Sequence, residues 1–150
     1  MKQQERTMSG YRIELLDWAQ AAARATPVRE RVFIIEQGVP VEIELDEQDV
    51  HCCHALATTD NGECIATGRL LPDGHIGRMA VDAGWRKRGL GGAVLEALVG
   101  AARARGMKRV MLNAQVHALD FYLAHGFEVH GEEFIEAGIP HRAMQRRIAD

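Results

Sequence analysis

Hydrophobic and polar residues recur in two different periods along this chain, and each period predicts a different kind of element. The two-residue period of a half-buried strand is carried by Tyr11, Ile13 and Leu15. The spacing of one helix face is carried by Leu90, Val94, Leu98 and Ala101. A glycine that can serve as a C-cap, Gly106, follows this second pattern. The sequence therefore predicts an early strand and a central amphipathic helix.

Short apolar runs between turn residues predict most of the remaining strands. They lie at residues 54–59, 64–70, 75–81, 108–114, 127–130 and 142–148. The first two runs are joined by Asp60-Asn61-Gly62, which is a strong hairpin signal, and the third follows Pro72-Asp73-Gly74. This order predicts an antiparallel meander followed by a strand–helix–strand unit.

Two helices are predicted before the meander. Residues 17–25 are rich in alanine, and Thr26-Pro27 has the form of an N-cap followed by proline at the first helical position. The second helix would run to about Glu36 and end before Gly38 and Pro40. Its buried face is predicted to consist of Val28, Val32 and Ile35. A short helix around Leu119, Tyr122 and Leu123 is predicted near the other end of the chain.

Composition narrows the class of protein. With 150 residues, 47% hydrophobic and 26% charged, the chain suits one globular domain over residues 1–150. A net charge of -3 argues against nucleic acid as a partner, and no apolar run approaches the ~20 residues of a membrane span. The polar segment 1–10 does not resemble a targeting signal, and three unpatterned cysteines predict buried thiols in a reducing cytoplasm without a metal site.

Charge is distributed unevenly along the chain. Residues 36–49 contain six acids and no Lys or Arg, whereas residues 84–110 contain seven bases and one acid. These segments could face a cation and an anion, respectively, or both could be solvated surfaces.

A glycine-rich turn at residues 86–92 is the strongest candidate for a binding site. It follows a predicted strand and opens the central helix, so free N–H groups and the helix dipole would face an anion. The phosphate-binding pattern of Walker loops is absent, and Val94 stands where a dinucleotide fingerprint needs its third glycine. The pattern that matches is [Q/R]-x-x-G-x-[G/A], through Arg86, Gly89 and Gly91. A helix start with a solvated basic face is the alternative.

With these residues the chain resembles the GNAT superfamily of acyl-CoA-dependent N-acyltransferases. The resemblance extends over residues 54–130 and includes Met79-Ala80-Val81, the glycine-rich turn, and the block Asn113, Ala118, Phe121, Tyr122, Gly126 and Phe127. Blocks around Arg29, Asp46 and Ile139-Pro140-His141 resemble the ElaA-type branch, and the first of them also resembles acyl-homoserine-lactone synthases. The chain departs from the family at Ala83, where a proline commonly precedes the turn.

The resemblance implies a fold, a co-substrate and a mechanism. The fold would be α+β (mixed α/β), with a mixed, mostly antiparallel central sheet flanked by helices. Acetyl-CoA or coenzyme A would be held by Met79, Ala80, Val81, Arg86, Lys87, Arg88, Gly89, Leu90, Gly91, Gly92, Asn113, Phe121 and Tyr122. An amine would attack the thioester directly in a ternary complex, with a backbone N–H near Val81 as oxyanion donor and Tyr122 as general acid. The candidate bases are His117, Glu36 and His54.

The predicted function is acetyl transfer to a primary amine of a small molecule or peptide, without nucleic acid, membrane or metal, by a monomer or homodimer. The alternatives are a catalytically idle acyl-CoA-binding module and an acyltransferase that uses a longer acyl group. The acidic segment predicts a positively charged acceptor. Arg69 and Arg78, on adjacent predicted strands, would instead bind an acceptor carboxylate or form a surface ion-pair ladder.

Overall fold

The computed structural model describes residues 5–8, 10–44 and 46–149, so much of the N-terminal segment 1–10 lies outside the described residues. Within them, eight strands form: β1 Glu5–Met8, β2 Tyr11–Leu16, β3 Cys53–Thr59, β4 Cys64–Leu70, β5 Ile76–Val81, β6 Arg109–Gln115, β7 Glu128–Glu136 and β8 Ile139–Arg147. The α-helices in the same part of the chain are α1 Trp18–Arg29, α2 Val41–Glu44, α3 Leu90–Ala104 and α4 Leu119–Ala124.

The strands form two antiparallel sheets, with the orders β1-β2-β3-β4-β5 and β6-β8-β7. A parallel bridge between His75 and Met111 joins the sheets where β5 and β6 begin, and the Met111 N–H donates to the Gly74 carbonyl at 3.0 Å. Beyond this bridge β5 and β6 are not paired with each other, and a cavity lies between them. The α+β prediction is confirmed, although one mixed sheet is replaced by two.

Helices α1 and α3 cover opposite faces of the five-stranded sheet. Because successive side chains of a strand point to opposite faces, Ala55 and Ala57 of β3 pack with α3, whereas Leu56 packs with α1. Every residue of β3 and β4 is buried for this reason. The predicted face of α3 is buried along its full length, and Gly106 ends the helix region with a φ of 78°.

The region of α1 differs from the two helices predicted there. Asp17 caps α1 through a capping box with Gln20, and the helix continues through Pro27 instead of restarting at Thr26. It then widens into a π-helical stretch, Glu30–Glu36. The wider turn rotates the face of the helix, so that Val28 and Val32 are buried as predicted while Ile35 is 76% exposed.

The hairpin of β7 and β8 is longer than the sequence pattern predicted. Its turn consists of Ala137 and Gly138, with φ values of 53° and 77°, which is the positive-φ pair of a type I′ turn. Most of β7 is exposed, so it has no alternating apolar pattern by which to recognise a strand.

A β-bulge interrupts the pairing of β4 with β5 at the edge of the cavity. One residue of β4, Gly68, lies opposite two residues of β5, Arg78 and Met79, between the pairs Thr67–Ala80 and Arg69–Gly77. Arg78 has a φ of 50°, which is unusual for a residue other than glycine. The bulge therefore turns the backbone of β5 out of the regular ladder beside the cavity.

Gly68 is required under this bulge because no side chain fits there. A Cβ atom at this position would lie 2.6 Å from the Met79 sulfur, 3.0 Å from Leu98 Cδ1 and 3.1 Å from Val94 Cγ1. Leu98 and Val94 are fully buried in α3, so they have little room to move.

We predict that Gly68→Ala lowers the free energy of unfolding by about 1–3 kcal/mol, because it overpacks the core beneath the bulge. The matched control is Gly100→Ala in α3, where a Cβ would meet nothing within 4 Å. The control should be neutral or stabilising by up to about 1 kcal/mol, since alanine favours helix. Urea unfolding of both variants measures the difference, and equal stabilities would contradict the packing described for Gly68.

Candidate functional site

The cavity between the two sheets has a volume of about 820 Å³. It brings together all but one of the residues predicted to bind a co-substrate, from β5, the glycine-rich turn, β6 and α4. The exception is Arg88, whose guanidinium lies over the Trp85 ring, 4.8 Å from its centroid. The candidate bases Glu36 and His117 also line the cavity.

The glycine-rich turn presents the uncapped N-terminus of α3 to the cavity. Gly89 occupies the N-cap position with a φ of 84° and provides no side-chain cap, so the first N–H groups of this 15-residue helix are available. A Cβ at Gly89 would meet nothing within 4 Å, which leaves the backbone open to close approach. Together with the helix dipole, this is an anion-binding arrangement that suits a phosphate or diphosphate.

Glu36 and Arg86 form a bidentate ion pair at the edge of the cavity, which the sequence analysis did not anticipate. The guanidinium nitrogens of Arg86 lie 2.6 and 2.7 Å from the two carboxylate oxygens, and its Nε donates to the Val81 carbonyl at 2.9 Å. Hydrogen bonding from Arg86 lowers the pKa of Glu36 below its ordinary value. The ion pair therefore makes Glu36 a weaker proton acceptor, which argues against its predicted role as general base.

Three arginines and three carboxylates form a network beside the cavity, which we call the arginine–carboxylate network: Arg29, Arg69, Arg78, Glu44, Asp46 and Asp49. Asp49 accepts from Arg29 Nη1 at 2.9 Å and from Arg69 Nη1 at 2.8 Å. Glu44 accepts from Arg29 at 2.7 Å, and Asp46 accepts from Arg69 at 2.8 Å. The network ties the segment around α2 to α1, β4 and β5.

Arg78 links this network to the β-bulge. Its guanidinium donates to the backbone carbonyls of Ile43 and Glu44 at 3.2 and 3.1 Å, and to Asp46 at 3.1 Å. Because Arg78 is a residue of the bulge itself, the same side chain that holds α2 also holds the turned backbone of β5.

These contacts correct the prediction that the acidic segment attracts a cationic acceptor. Of its six carboxylates, the three in the network and Glu36 are engaged by arginines, and only Glu42 and Glu47 lack an ion pair among the described residues. Hydrogen bonding from Arg69 lowers the pKa of Asp46 to about 2. Burial by itself would raise the pKa of Asp49, but hydrogen bonds from Arg29 and Arg69 lower it overall. Arg69 and Arg78 are likewise paired with carboxylates of the network, so they are not free to bind an acceptor carboxylate.

Tyr122 lies on α4 with its ring packed against Phe121, at 4.9 Å between centroids and an edge-to-face angle of 75°. Burial raises the pKa of Tyr122 to about 12, so the phenol is fully protonated at neutral pH. Asn113 is exposed on β6, and its amide donates to Glu136 at 3.4 Å. Both residues line the cavity.

Two of the candidate bases are histidines whose surroundings differ. His117 is exposed, and its Nε2 lies 2.6 Å from the Gln115 amide oxygen. His54 is buried, with its ring 4.7 Å from Trp18 and its Nε2 2.9 Å from the Asp49 carbonyl. His54 therefore supports the fold and does not line the cavity.

A further cavity-lining histidine, His141, was not recognised as a site residue from the sequence. It is 6% exposed and lies on β8 opposite Gln115. The block Ile139-Pro140-His141 contributed to the family resemblance but indicated no role for this histidine. The pairing of β6 with β8 brings it to the cavity.

The three cysteines are free and buried, as predicted, and burial raises the pKa values of Cys52 and Cys64 to about 11. Such thiols are poor nucleophiles. Among residues 5–8, 10–44 and 46–149, no cluster of three or more His, Cys, Asp or Glu side chains is arranged to hold a metal ion. In that same part of the chain, no helix has both the length and the apolar character needed to cross a bilayer.

Comparison with known proteins identifies similar sequences and folds. Residues 22–148 match the model of the acetyltransferase (GNAT) domain family. The uncharacterised N-acetyltransferase YjcF of Bacillus subtilis is 40% identical over 123 residues, which cover 79% of this chain and 87% of YjcF.

Two solved structures have the same fold. An acyl-CoA N-acyltransferase from Pseudomonas aeruginosa superposes with a TM-score of 0.81 at 30% identity, covering 91% of this chain and 99% of that protein. Escherichia coli ElaA superposes with a TM-score of 0.80 at 27% identity, with the same coverage of both chains. The resemblance to ElaA that was read from the sequence is confirmed.

The arginine–carboxylate network yields a stability prediction. Asp49→Asn removes the buried charge shared by Arg29 and Arg69, and we expect it to lower the free energy of unfolding by about 3–5 kcal/mol. The control is Glu47→Gln, an exposed acid in the same segment, which should change stability by less than about 0.5 kcal/mol. Denaturant unfolding at neutral pH compares the two variants. Similar small effects would mean that the network does not stabilise the fold.

Proposed function

The chain belongs to the GNAT acetyltransferase family, and from this premise we propose that residues 1–150 form one domain that transfers an acetyl group from acetyl-CoA to a primary amine. The proposal is carried by the cavity between the unpaired stretches of β5 and β6. This cavity is lined by the open N-terminus of α3 and by the protonated phenol of Tyr122.

The chemistry of this cavity suits coenzyme A. Its diphosphate would be bound by the N–H groups at Gly89, Leu90 and Gly91, where no side chain competes for them. Its pantetheine arm would run between β5 and β6, where backbone groups of Met79 and the Asn113 amide can pair with it. Lys87 is exposed at the turn and adds attraction for phosphate. Arg86 contributes only if it leaves Glu36 or binds both groups.

The β-bulge supplies a candidate oxyanion donor. A bulge leaves a backbone group outside the ladder, and the residues concerned are Arg78 and Met79, two to three positions before Val81. A fixed N–H at this place would stabilise the negative charge that develops on the thioester oxygen during attack. We therefore assign the oxyanion donor to this bulge, which lies near Val81 as the resemblance implies.

Tyr122 is the proposed general acid. Direct attack by the amine in a ternary complex forms the C–N bond and breaks the C–S bond, and the sulfur then needs a proton. A phenol with a pKa of about 12 releases its proton only to a strong base in the same poorly hydrated site. The departing thiolate becomes such a base because the site that raises the pKa of the phenol also raises that of the thiol.

The acceptor is proposed to be a small-molecule or peptide amine that is not selected by charge. Glu44, Arg69 and Arg78, the charged groups around α2 that line the cavity, are already paired. Its apolar walls include Val39, Ile43, Leu71 and Ile139. Apolar contacts would then contribute most of the binding free energy of the acceptor.

We predict that acetyl-CoA binds to the wild-type protein and that Gly89→Val weakens its affinity at least ten-fold. A branched side chain at a φ of 84° is strained, and it would fill the open space through which the phosphates approach. The control is Gly100→Val, the same change near the other end of α3, where affinity should stay within two-fold. Isothermal titration calorimetry measures both, and absence of binding to the wild type at millimolar acetyl-CoA would rule out the proposed function.

An acceptor screen tests the chemistry itself. Thiol release from acetyl-CoA is followed across alkylamines, arylalkylamines, amino acids and short peptides, with octanoyl-CoA as the long-chain alternative. Amine-dependent release with acetyl-CoA supports the proposal. Tight binding without turnover for any amine would favour the acyl-CoA-binding module, and turnover with octanoyl-CoA alone would favour the longer acyl group.

The role of Tyr122 is tested by Tyr122→Phe, which retains the packed ring and removes the proton donor. We expect turnover to fall by about 10²–10⁴-fold while the dissociation constant of acetyl-CoA changes little. Tyr11→Phe, at a buried tyrosine of β2, is the matched control and should leave turnover unchanged. Unaltered turnover of Tyr122→Phe, with chemistry rate-limiting, would reduce Tyr122 to a packing residue.

A further inference from the structure

His141 has a fixed ring orientation that leaves one nitrogen free. Its Nδ1 lies 2.7 Å from the carbonyl oxygen of Ile139, and a carbonyl oxygen can only accept. Nδ1 therefore carries the hydrogen in the neutral ring, and the lone pair lies on Nε2. The ring is also stacked on Phe134 of β7, at 5.9 Å between centroids and 23° between planes, which limits its rotation.

The free nitrogen of His141 is accessible from the cavity. Nε2 has no hydrogen-bond partner among the described residues, yet it is not one of the buried polar atoms that are cut off from solvent. Since the residue as a whole is buried and lines the cavity, the accessible surface of this atom opens into the cavity.

The other two histidines that line the cavity are less suited to accept a proton there. The Nε2 of His117 is engaged by the Gln115 amide oxygen, whose orientation is set because the Gln115 amide nitrogen donates to Gln37 at 3.0 Å. His117 is also exposed, and solvent can reach it directly. His75 lies on the turn before β5, where its Nδ1 is 2.9 Å from the Asp73 carboxylate, and its side chain is 44% exposed, so solvent also reaches it directly.

We propose that His141 is the general base of the transfer reaction, an inference that rests on the function proposed above. Nε2 accepts the proton that the amine nitrogen loses as it attacks the thioester. The nitrogen lone pair forms the C–N bond, the C–S bond breaks, and the sulfur receives a proton from Tyr122. His141 then releases its proton to water, and Tyr122 recovers one from water, so that an amide and a free thiol are the products.

Other titratable groups face the same cavity and could also contribute to the pH dependence of the reaction. His117 follows β6, Glu136 ends β7 and Tyr122 lies on α4. The side toward β4 and β5 contributes Arg69, Arg78, Glu44 and His75, and the edge at the glycine-rich turn contributes Glu36, Arg86 and Lys87. Arg69, Arg78 and Glu44 are paired within the network, and Glu136 is hydrogen-bonded to Asn113. His141 differs from these groups because it is buried and its Nε2, the atom that can accept a proton, has no hydrogen-bond partner among the described residues.

The kinetic test compares His141→Gln with His130→Gln, an exposed histidine on β7, using acetyl-CoA and the amine with the highest turnover in the acceptor screen. For His141→Gln we expect kcat/KM to fall by about 10²–10⁴-fold, and the rise of activity with pH on the acidic side of the profile to disappear. Acetyl-CoA affinity should stay within two-fold, and the His130 variant should resemble the wild type. Turnover of His141→Gln within three-fold of wild type, with an unchanged pH profile, would overturn the assignment while leaving the transferase function intact.

A second measurement needs neither an acceptor nor a variant. In the ¹⁵N-labelled wild-type protein, long-range ¹H–¹⁵N NMR correlations distinguish the two neutral tautomers of each histidine. We expect His141 to be protonated on Nδ1. A neutral ring protonated on Nε2 has no lone pair toward the cavity and would overturn the proposal. If no tested amine is turned over, the tautomer of His141 alone decides whether it can act as the base.

Discussion

The carboxylate of Asp49 holds together the parts of the molecule on which the site depends. It is shared by Arg29 from α1 and Arg69 from β4, and all three side chains are almost completely buried. Through Glu44 and Asp46 the same arginines fix the segment around α2, and this segment in turn receives Arg78 from the bulge in β5. The segment around α2 and the bulged strand β5, which both line this side of the cavity, are therefore held in place by one network. A charge buried in this way is tolerated because each carboxylate is satisfied by at least two guanidinium contacts.

Because of this network, the acidic segment 36–49 carries much less uncompensated charge in the folded molecule than in the sequence. Counted along the sequence, 36–49 is an acidic segment that would attract cations. In the folded molecule four of its six carboxylates are matched by arginines that are distant in sequence, and three positive and three negative groups of the network cancel. Electrostatic steering needs charge that is not compensated locally, so most of the acidic charge of this segment contributes to structure instead of attraction. The N-terminus of α3 is different, because its positive potential comes from backbone N–H groups that have no partner within the helix.

Features that depend on neighbouring residues could be predicted from the sequence, and those that depend on distant pairing could not. The strand, glycine turn and helix around Gly89 follow from local spacing, as does the burial of the α3 face. The pairing of Glu36 with Arg86 joins residues 50 positions apart, and nothing near either residue indicates it. Helix α1 continues through Pro27 into the π-helical stretch, whereas local propensity favours a helix that begins at this proline. His141 was missed because its environment is created by the pairing of β6, β8 and β7.

The type I′ turn at Ala137-Gly138 places β7 beside β8, and the order β6-β8-β7 leaves β7 as an outer strand with one edge unpaired among the described residues. An unpaired edge can add a strand from another chain, and proteins commonly guard against this with charge. β7 carries glutamates at positions 128, 132, 133 and 136, all exposed. Two copies approaching edge to edge would bring these like charges together. The exposed glutamates that make β7 difficult to predict as a strand thus disfavour edge-to-edge association. The unpaired stretches of β5 and β6 are protected differently, because they face the cavity.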